Sequence, residues 1–291
     1  LRVFYFKSLG EKMKKLQKAI KAYKNEKFLS SPAARTIRIL SEFYEPQDRF
    51  KKNNVVDTIV FFGSARFVSE KEAKKNLRRI KKDFKDKRNY KKKLVEAETL
   101  LKMSRYYEAA VELSKKLTEW SLSLPLQDNR FIICSGGGPG IMEAASKGAK
   151  LAGGKSIGLN ISIPYEQYIN QYVPPELSFE FHYFFMRKFW FAYLAKALVV
   201  FPGGFGTLDE LMEILTLVQT GKIKKEMKII LFDKEYWNEV LNFEALVKFG
   251  TISKGDLKLF EFTSDVEEAF NSITSHFTKH YLHNGNHYGK E

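Results

Sequence analysis

The chain has 291 residues, of which 44% are hydrophobic and 29% charged, with a formal net charge of +15 at pH 7. That composition suits a globular protein with a sizeable core, and no apolar run approaches the ~20 residues needed to span a bilayer. The single cysteine, Cys134, excludes an internal disulfide framework, and with no secretory signal visible a reducing, cytoplasmic location is expected.

Residues 8–25 and 32–45 read as two helices of an N-terminal extension occupying 1–50. Leu9, Met13, Leu16, Ile20 and Tyr23 recur at helical spacing in the first, and Ile37, Leu40, Phe43 and Tyr44 in the second, where Pro32 suits the opening turn. They are expected to be a helical cover or an oligomer contact, with no chemical role. The positive charge concentrates between Lys71 and Lys93, interrupted by Glu72, Asp83 and Asp86. With only Phe84 and Tyr90 as aromatics, this stretch reads as a solvated helical face in preference to a nucleic-acid or membrane patch.

From Asp57 the pattern alternates. Apolar runs at 58–62, 130–134, 156–161, 179–184, 197–201 and 228–232 read as buried strands. Between and after them, helices are expected to about Trp120, over 141–151, from about Met186, from Thr207 to about Thr220, and near 235–247 and 265–280. The fold class is therefore α/β: one Rossmann-like domain over 51–282 with a doubly wound, mostly parallel sheet. A polar tail, 283–291, follows. In such sheets ligands bind beyond the carboxyl ends of the strands. The glycine-rich loops at 63, 136–140 and 203–206 all follow strands and are expected to converge there.

The most informative loop is Pro202-Gly203-Gly204-Phe205-Gly206-Thr207-Leu208-Asp209-Glu210. Glycines where a strand turns into a helix expose backbone N–H groups at a helix N-terminus, which is a seat for phosphate. Two familiar phosphate motifs fail. The dinucleotide fingerprint needs a third glycine where Gly136-Gly137-Gly138-Pro139-Gly140-Ile141 has Ile141, and where the later loop has Asp209. The triphosphate loop fails because Ala149 stands at its first glycine and Gly154-Lys155-Ser156 leads into a strand.

Gly63-Ser64-Ala65-Arg66, Gly136 to Ala144, Met186-Arg187-Lys188 and Pro202 to Glu210 occur in this order. Together they resemble the LOG (Lonely Guy) family of nucleoside 5′-monophosphate phosphoribohydrolases, over roughly residues 55–275. The family signature Pro-Gly-Gly-x-Gly-Thr-x-x-Glu is matched at every fixed position. Glu143-Ala144 after Met142, in place of a glycine, is similar to the longer bacterial-type branch. The resemblance implies hydrolysis of an N-glycosidic bond to free base and ribose 5-phosphate, without metal or other cofactor, in a homodimer with its site near the subunit contact. An AMP-like or cytokinin riboside monophosphate is the implied substrate class. The label of lysine decarboxylase sometimes given to such proteins finds no support, since nothing marks a cofactor-bearing lysine.

Departure of the base develops positive charge on the ribose, which a carboxylate can stabilise while activating water. Glu210 is the carboxylate the resemblance implies, although Thr207-x-x-Glu210 also fits a helix capping box. Arg187 is implied to face Glu210 and the substrate, and Lys188 to support the site. Gly203, Gly204, Gly206 and Thr207 are expected to hold the phosphate, with Gly136, Gly137 and Gly138 lining the nucleotide. Ser64, Met142 and Glu143 are further contact candidates; for Glu143 a favourable charge at a helix start is the alternative. The aromatics after Arg187 read as core, as does His182. His276, His280, His283 and His287 have ligand-like spacing, but they flank a polar tail without a carboxylate or cysteine cluster, so no metal site is expected. The rival function is a non-catalytic Rossmann-like carrier or sensor of a phosphorylated nucleotide or molybdopterin-type ligand. Such a carrier needs the glycine loops and not the pairing of Arg187 with Glu210.

Overall fold

Thr58–Phe62 forms β1 with all five residues buried, as a strand covered on both faces requires. The computed structural model describes residues 19–85, 88–125, 128, 130–163 and 168–282. Six further strands follow: β2 (Ile132–Ser135), β3 (Ser156–Ile161), β4 (Ser178–Phe181), β5 (Ala195–Val200), β6 (Lys228–Phe232) and β7 (Glu261–Thr263). They form a 7-stranded sheet in the order β4-β3-β2-β1-β5-β6-β7, and every pairing is parallel. The chain winds outward from β1 first in one direction, to β4, and then in the other, from β5 to β7. The switch in strand order therefore lies between β1 and β5, where a parallel sheet leaves a crevice at its carboxyl edge.

The helices are α1 (Glu26–Leu29), α2 (Arg35–Lys52), α3 (Glu70–Asp83), α4 (Tyr90–Ser123), α5 (Ile141–Leu151), α6 (Phe184–Leu194), α7 (Phe205–Gln219), α8 (Lys234–Val240), α9 (Phe243–Lys248) and α10 (Val266–Phe277). One face of the sheet buries Ile59, Phe61, Ile133, Val199, Phe201 and Phe232 against Leu113 and Leu117 of α4, Ala144 and Ala145 of α5, and Ile273 and Phe277 of α10. The small residues of α5 set how closely it meets α4: a Cβ at Gly148 would collide with the Val111 carbonyl, and the Ser114 hydroxyl donates to the Ala145 carbonyl at 2.5 Å. At the opposite edge of the sheet from the glycine loops, buried Asp57 pairs with Arg130 at 2.5 Å and Lys196 at 3.4 Å.

The chain divides into two compact units, Leu1–Ser41 and Glu42–Glu291. In the first, the Asn25 side chain caps α1 by accepting from the Phe28 N–H, and Arg38 donates to the Leu29 and Ser31 carbonyls. The helix expected over 8–25 lies outside the described residues up to 18, and residues 22–24 form a 3₁₀ turn. In the second unit, α2 continues through Pro46. Proline supplies no N–H to the carbonyl four residues back; that carbonyl, on Glu42, accepts instead from Trp190 Nε1 of α6 at 3.0 Å.

Some expectations need correction. The strand expected over 179–184 stops at Phe181, because the His182 and Tyr183 N–H groups turn to the Glu42 carboxylate and a helix begins at Phe184. His182 is consequently exposed and not in the core. The helix that follows buries Met186, Trp190 and Phe191, but Phe184, Phe185, Phe189 and Tyr193 are exposed. The segment 235–247 is two helices, α8 and α9, interrupted where Asn242 caps the second. The basic stretch from Lys71 forms α3 and the start of α4, its lysines directed outward; Asp86, Lys87, His283 and His287 lie outside the described residues.

Candidate active site

Ser64 joins the loops that follow β1, β2 and β5. Its N–H donates to the Pro202 carbonyl at 3.0 Å, and its carbonyl accepts from the Ile141 N–H at 3.1 Å. Its hydroxyl accepts from the Arg66 N–H, closing the turn locally. Close packing enforces the glycines here. A Cβ on Gly203 would lie 2.7 Å from Thr207 Cβ and 3.0 Å from Ser64 N, whereas one on Gly204 or Gly206 would meet nothing. Gly203 and Thr207 are thus the buried floor of the loop, with Gly204 and Gly206 its open side. Gly137 takes φ +69°, with its Cα against Gly158, a conformation natural only to glycine.

α7 begins at Phe205 with Gly204 as its N-cap, and no side chain caps it. The helix therefore starts upstream of Thr207, so Thr207 and Glu210 do not form the capping box that their spacing also allows. Instead, Glu210 lies one turn inward from Thr207 and is buried. Its Oε1 accepts from Arg187 Nη2 at 3.3 Å, longer than the 2.7–2.9 Å of a tight guanidinium–carboxylate bond. Burial raises the Glu210 carboxyl to about 7, outweighing the lowering pull of Arg187 and Lys188. Burial likewise lowers Arg187, against the pull of Glu210 and Asp209. Among the described residues, Arg187 Nε has no hydrogen-bond partner. A buried donor left open beside a loosely held carboxylate is a costly arrangement, of the kind a polar ligand completes.

Gly136 lies between Met142 and the same guanidinium. The position of a Gly136 Cβ would be 2.7 Å from Met142 Sδ and 3.9 Å from Arg187 Nη1. Lys188 faces the other way, bridging Asp209 at 2.8 Å and Glu213 at 2.7 Å, so it neutralises the outer carboxylates of α7. Glu143 accepts from the Tyr107 hydroxyl of α4 at 2.8 Å, and burial, with this hydrogen bond adding to it, pushes that phenol upward. Among the described residues, no cluster of three or more His, Cys, Asp or Glu has the geometry of a metal site.

Further residues support the site without a sequence signal that marked them. Asn170 Nδ2 donates to the Gly137 carbonyl at 2.9 Å and the Gly138 carbonyl at 3.2 Å, fixing the loop after β2. The Glu42 carboxylate accepts from the His182 and Tyr183 N–H groups, anchoring the start of α6 and hence Arg187. Tyr236 donates to the Gly203 carbonyl at 2.8 Å. A signal that could have pointed there is Asp233, a helix-capping residue type after an apolar run, which starts the helix that positions Tyr236.

A family model described as possible lysine decarboxylase matches residues 142–273. A cytokinin riboside 5′-monophosphate phosphoribohydrolase of Arabidopsis thaliana is 30% identical over 51% of this chain and 64% of its own length. Another of that description, from Oryza sativa subsp. japonica, is 32% identical over 45% of this chain and 50% of its own length. These matches support membership of the LOG family. The chain spans about half to two thirds of these relatives. Among solved structures, the molybdenum cofactor carrier protein of Chlamydomonas reinhardtii overlays on 77% of this chain and 99% of its own, with a TM-score of 0.46 and 19% identity. No helix among the described residues is long and apolar enough to cross a membrane.

Proposed function

We propose that this chain hydrolyses the N-glycosidic bond of a nucleoside 5′-monophosphate, releasing free base and ribose 5-phosphate. The observation that carries the reading is the buried Glu210, held loosely at 3.3 Å by Arg187 one turn inside an uncapped, glycine-flanked helix start. The 5′-phosphate sits on the N–H groups of Gly204, Gly206 and Thr207, where the α7 dipole favours an anion. Ser64, Gly136, Gly137, Gly138, Met142 and Glu143 border the nucleoside. Lys188 holds Asp209 and Glu213 away from the phosphate.

As the base leaves, positive charge grows on the ribose, and ionised Glu210 stabilises it and takes a proton from the attacking water. Arg187 keeps part of the carboxylate population ionised despite its burial, and its open donor binds a ribose or phosphate oxygen. The base departs with the electrons of the glycosidic bond and acquires a proton, while the water oxygen bonds to the anomeric carbon. The substrates are AMP-like or cytokinin riboside monophosphates. The protein works in the cytoplasm as a homodimer, and the exposed rings of Phe184, Phe185, Phe189 and Phe205 support the self-association.

The test is free base released from a panel of nucleoside 5′-monophosphates, alongside the same nucleosides without phosphate. Release from one or more monophosphates, with the unphosphorylated nucleosides poor substrates, is expected. Tight binding without release from any member would instead favour a carrier or sensor.

A further inference from the structure

The glycine loop is held from behind by a chain of polar contacts that begins on α4. Asp233 follows β6 with a positive φ of +77°, a backbone region that few non-glycine residues occupy. What holds it is a polar network around its buried carboxylate. Its Oδ2 accepts from Arg105 at 2.9 Å and from the Tyr106 hydroxyl, and its N–H donates to the Thr263 carbonyl at 2.7 Å. Its Oδ1 caps α8 by accepting from the Tyr236 N–H at 3.2 Å. Tyr236, half-buried at the first turn of α8, then donates its hydroxyl to the Gly203 carbonyl at 2.8 Å.

The peptide between Gly203 and Gly204 is planar and trans, so its C=O and N–H point in opposite directions. An oxygen fixed toward Tyr236 aims the Gly204 N–H away from that hydroxyl, and Gly204 is itself exposed. Glycine would otherwise leave this peptide free to rotate. Resting on the phosphate seat of the proposed function, we infer that Tyr236 is a positioning residue. Set by Asp233, Arg105 and Tyr106, it orients the Gly203–Gly204 peptide to receive the 5′-phosphate. It acts on phosphate binding and not on bond cleavage, since its hydrogen bonds and ring contact are with Asp233, Gly203 and Trp237, not with Glu210 or Arg187.

Tyr236→Phe keeps the ring and removes the hydroxyl. It is expected to raise KM for the monophosphate, and the dissociation constant of ribose 5-phosphate measured by calorimetry, by about 3- to 10-fold, the size of one net hydrogen bond. Affinity for the unphosphorylated nucleoside and kcat should stay within about twofold. Unchanged ribose 5-phosphate affinity would overturn the proposal, and so would an equal loss for the unphosphorylated nucleoside, which marks general damage. Wild-type protein that binds ribose 5-phosphate but cleaves no monophosphate would remove the hydrolase reading. The Tyr236→Phe affinity loss would then still support the positioning role. Wild-type protein that binds no phosphorylated sugar would overturn both.

Discussion

Glu210 is where burial and charge compete most directly. Its carboxyl ionises near 7, well above its ordinary 4.5, because desolvation outweighs the attraction of Arg187. If the ionised form is the working one, the rate rises with pH and levels off above about 7. Arg187→Ala removes the group that lowers that ionisation, so its residual rate profile should move to higher pH, as a pH series of initial rates will show. The same shift bears on stability. Between 4.5 and about 7 the folded state binds this proton more tightly than the unfolded chain, so this residue's contribution to stability falls as pH rises through that window. Glu210→Gln should flatten that slope in urea midpoints taken at pH 5 and pH 8. The pairing of Arg187 with Glu210 was legible in the sequence through separated motifs, whereas the capping alternative failed because α7 starts before Thr207. Tyr236, Asn170 and Glu42 were not legible. Each acts through a hydrogen bond to or from backbone remote in sequence, and such contacts leave no periodicity or motif.

At the scale of elements, the loop after β5 divides its glycines by role. Gly203→Ala forces a methyl group onto Thr207 and the Ser64 backbone, so the loop must shift. A loss of about 1–3 kcal/mol is expected for such overpacking, visible as a lower thermal midpoint, together with weaker ribose 5-phosphate binding. Gly204→Ala meets no protein atom; it should leave the thermal midpoint within about 1 °C while weakening phosphate binding, because its methyl group enters the ligand's space. The elements themselves were unevenly legible. The runs 156–161 and 228–232 match β3 and β6 residue for residue, since buried parallel strands are continuous apolar stretches bounded by polar or glycine residues. β7 escaped notice because it is only Glu261–Thr263, an edge strand whose glutamate pairs with Lys228 at 2.5 Å. The aromatics of α6 misled because composition does not distinguish core from an exposed apolar face.

For the whole molecule, alternation of apolar runs and helices announced a parallel sheet, but not its strand order, which depends on pairings distant in sequence. The order places the β1 and β5 loops on either side of the switch, and this is why motifs separated along the chain meet at Ser64. The same edge carries Phe205, 93% exposed, with Phe184 and Phe185 about half exposed. Exposed aromatic rings at this edge are the feature on which the proposed self-association rests. Phe205→Asp combined with Phe185→Asp should convert the proposed dimer to monomer in light scattering and lower the hydrolytic rate with it. The account as a whole is tested most directly by Glu210→Gln, with base release from the best monophosphate and ribose 5-phosphate affinity measured on the same preparation. Release about 10²- to 10⁴-fold slower with affinity retained is the predicted result; release at the wild-type rate would contradict the central claim.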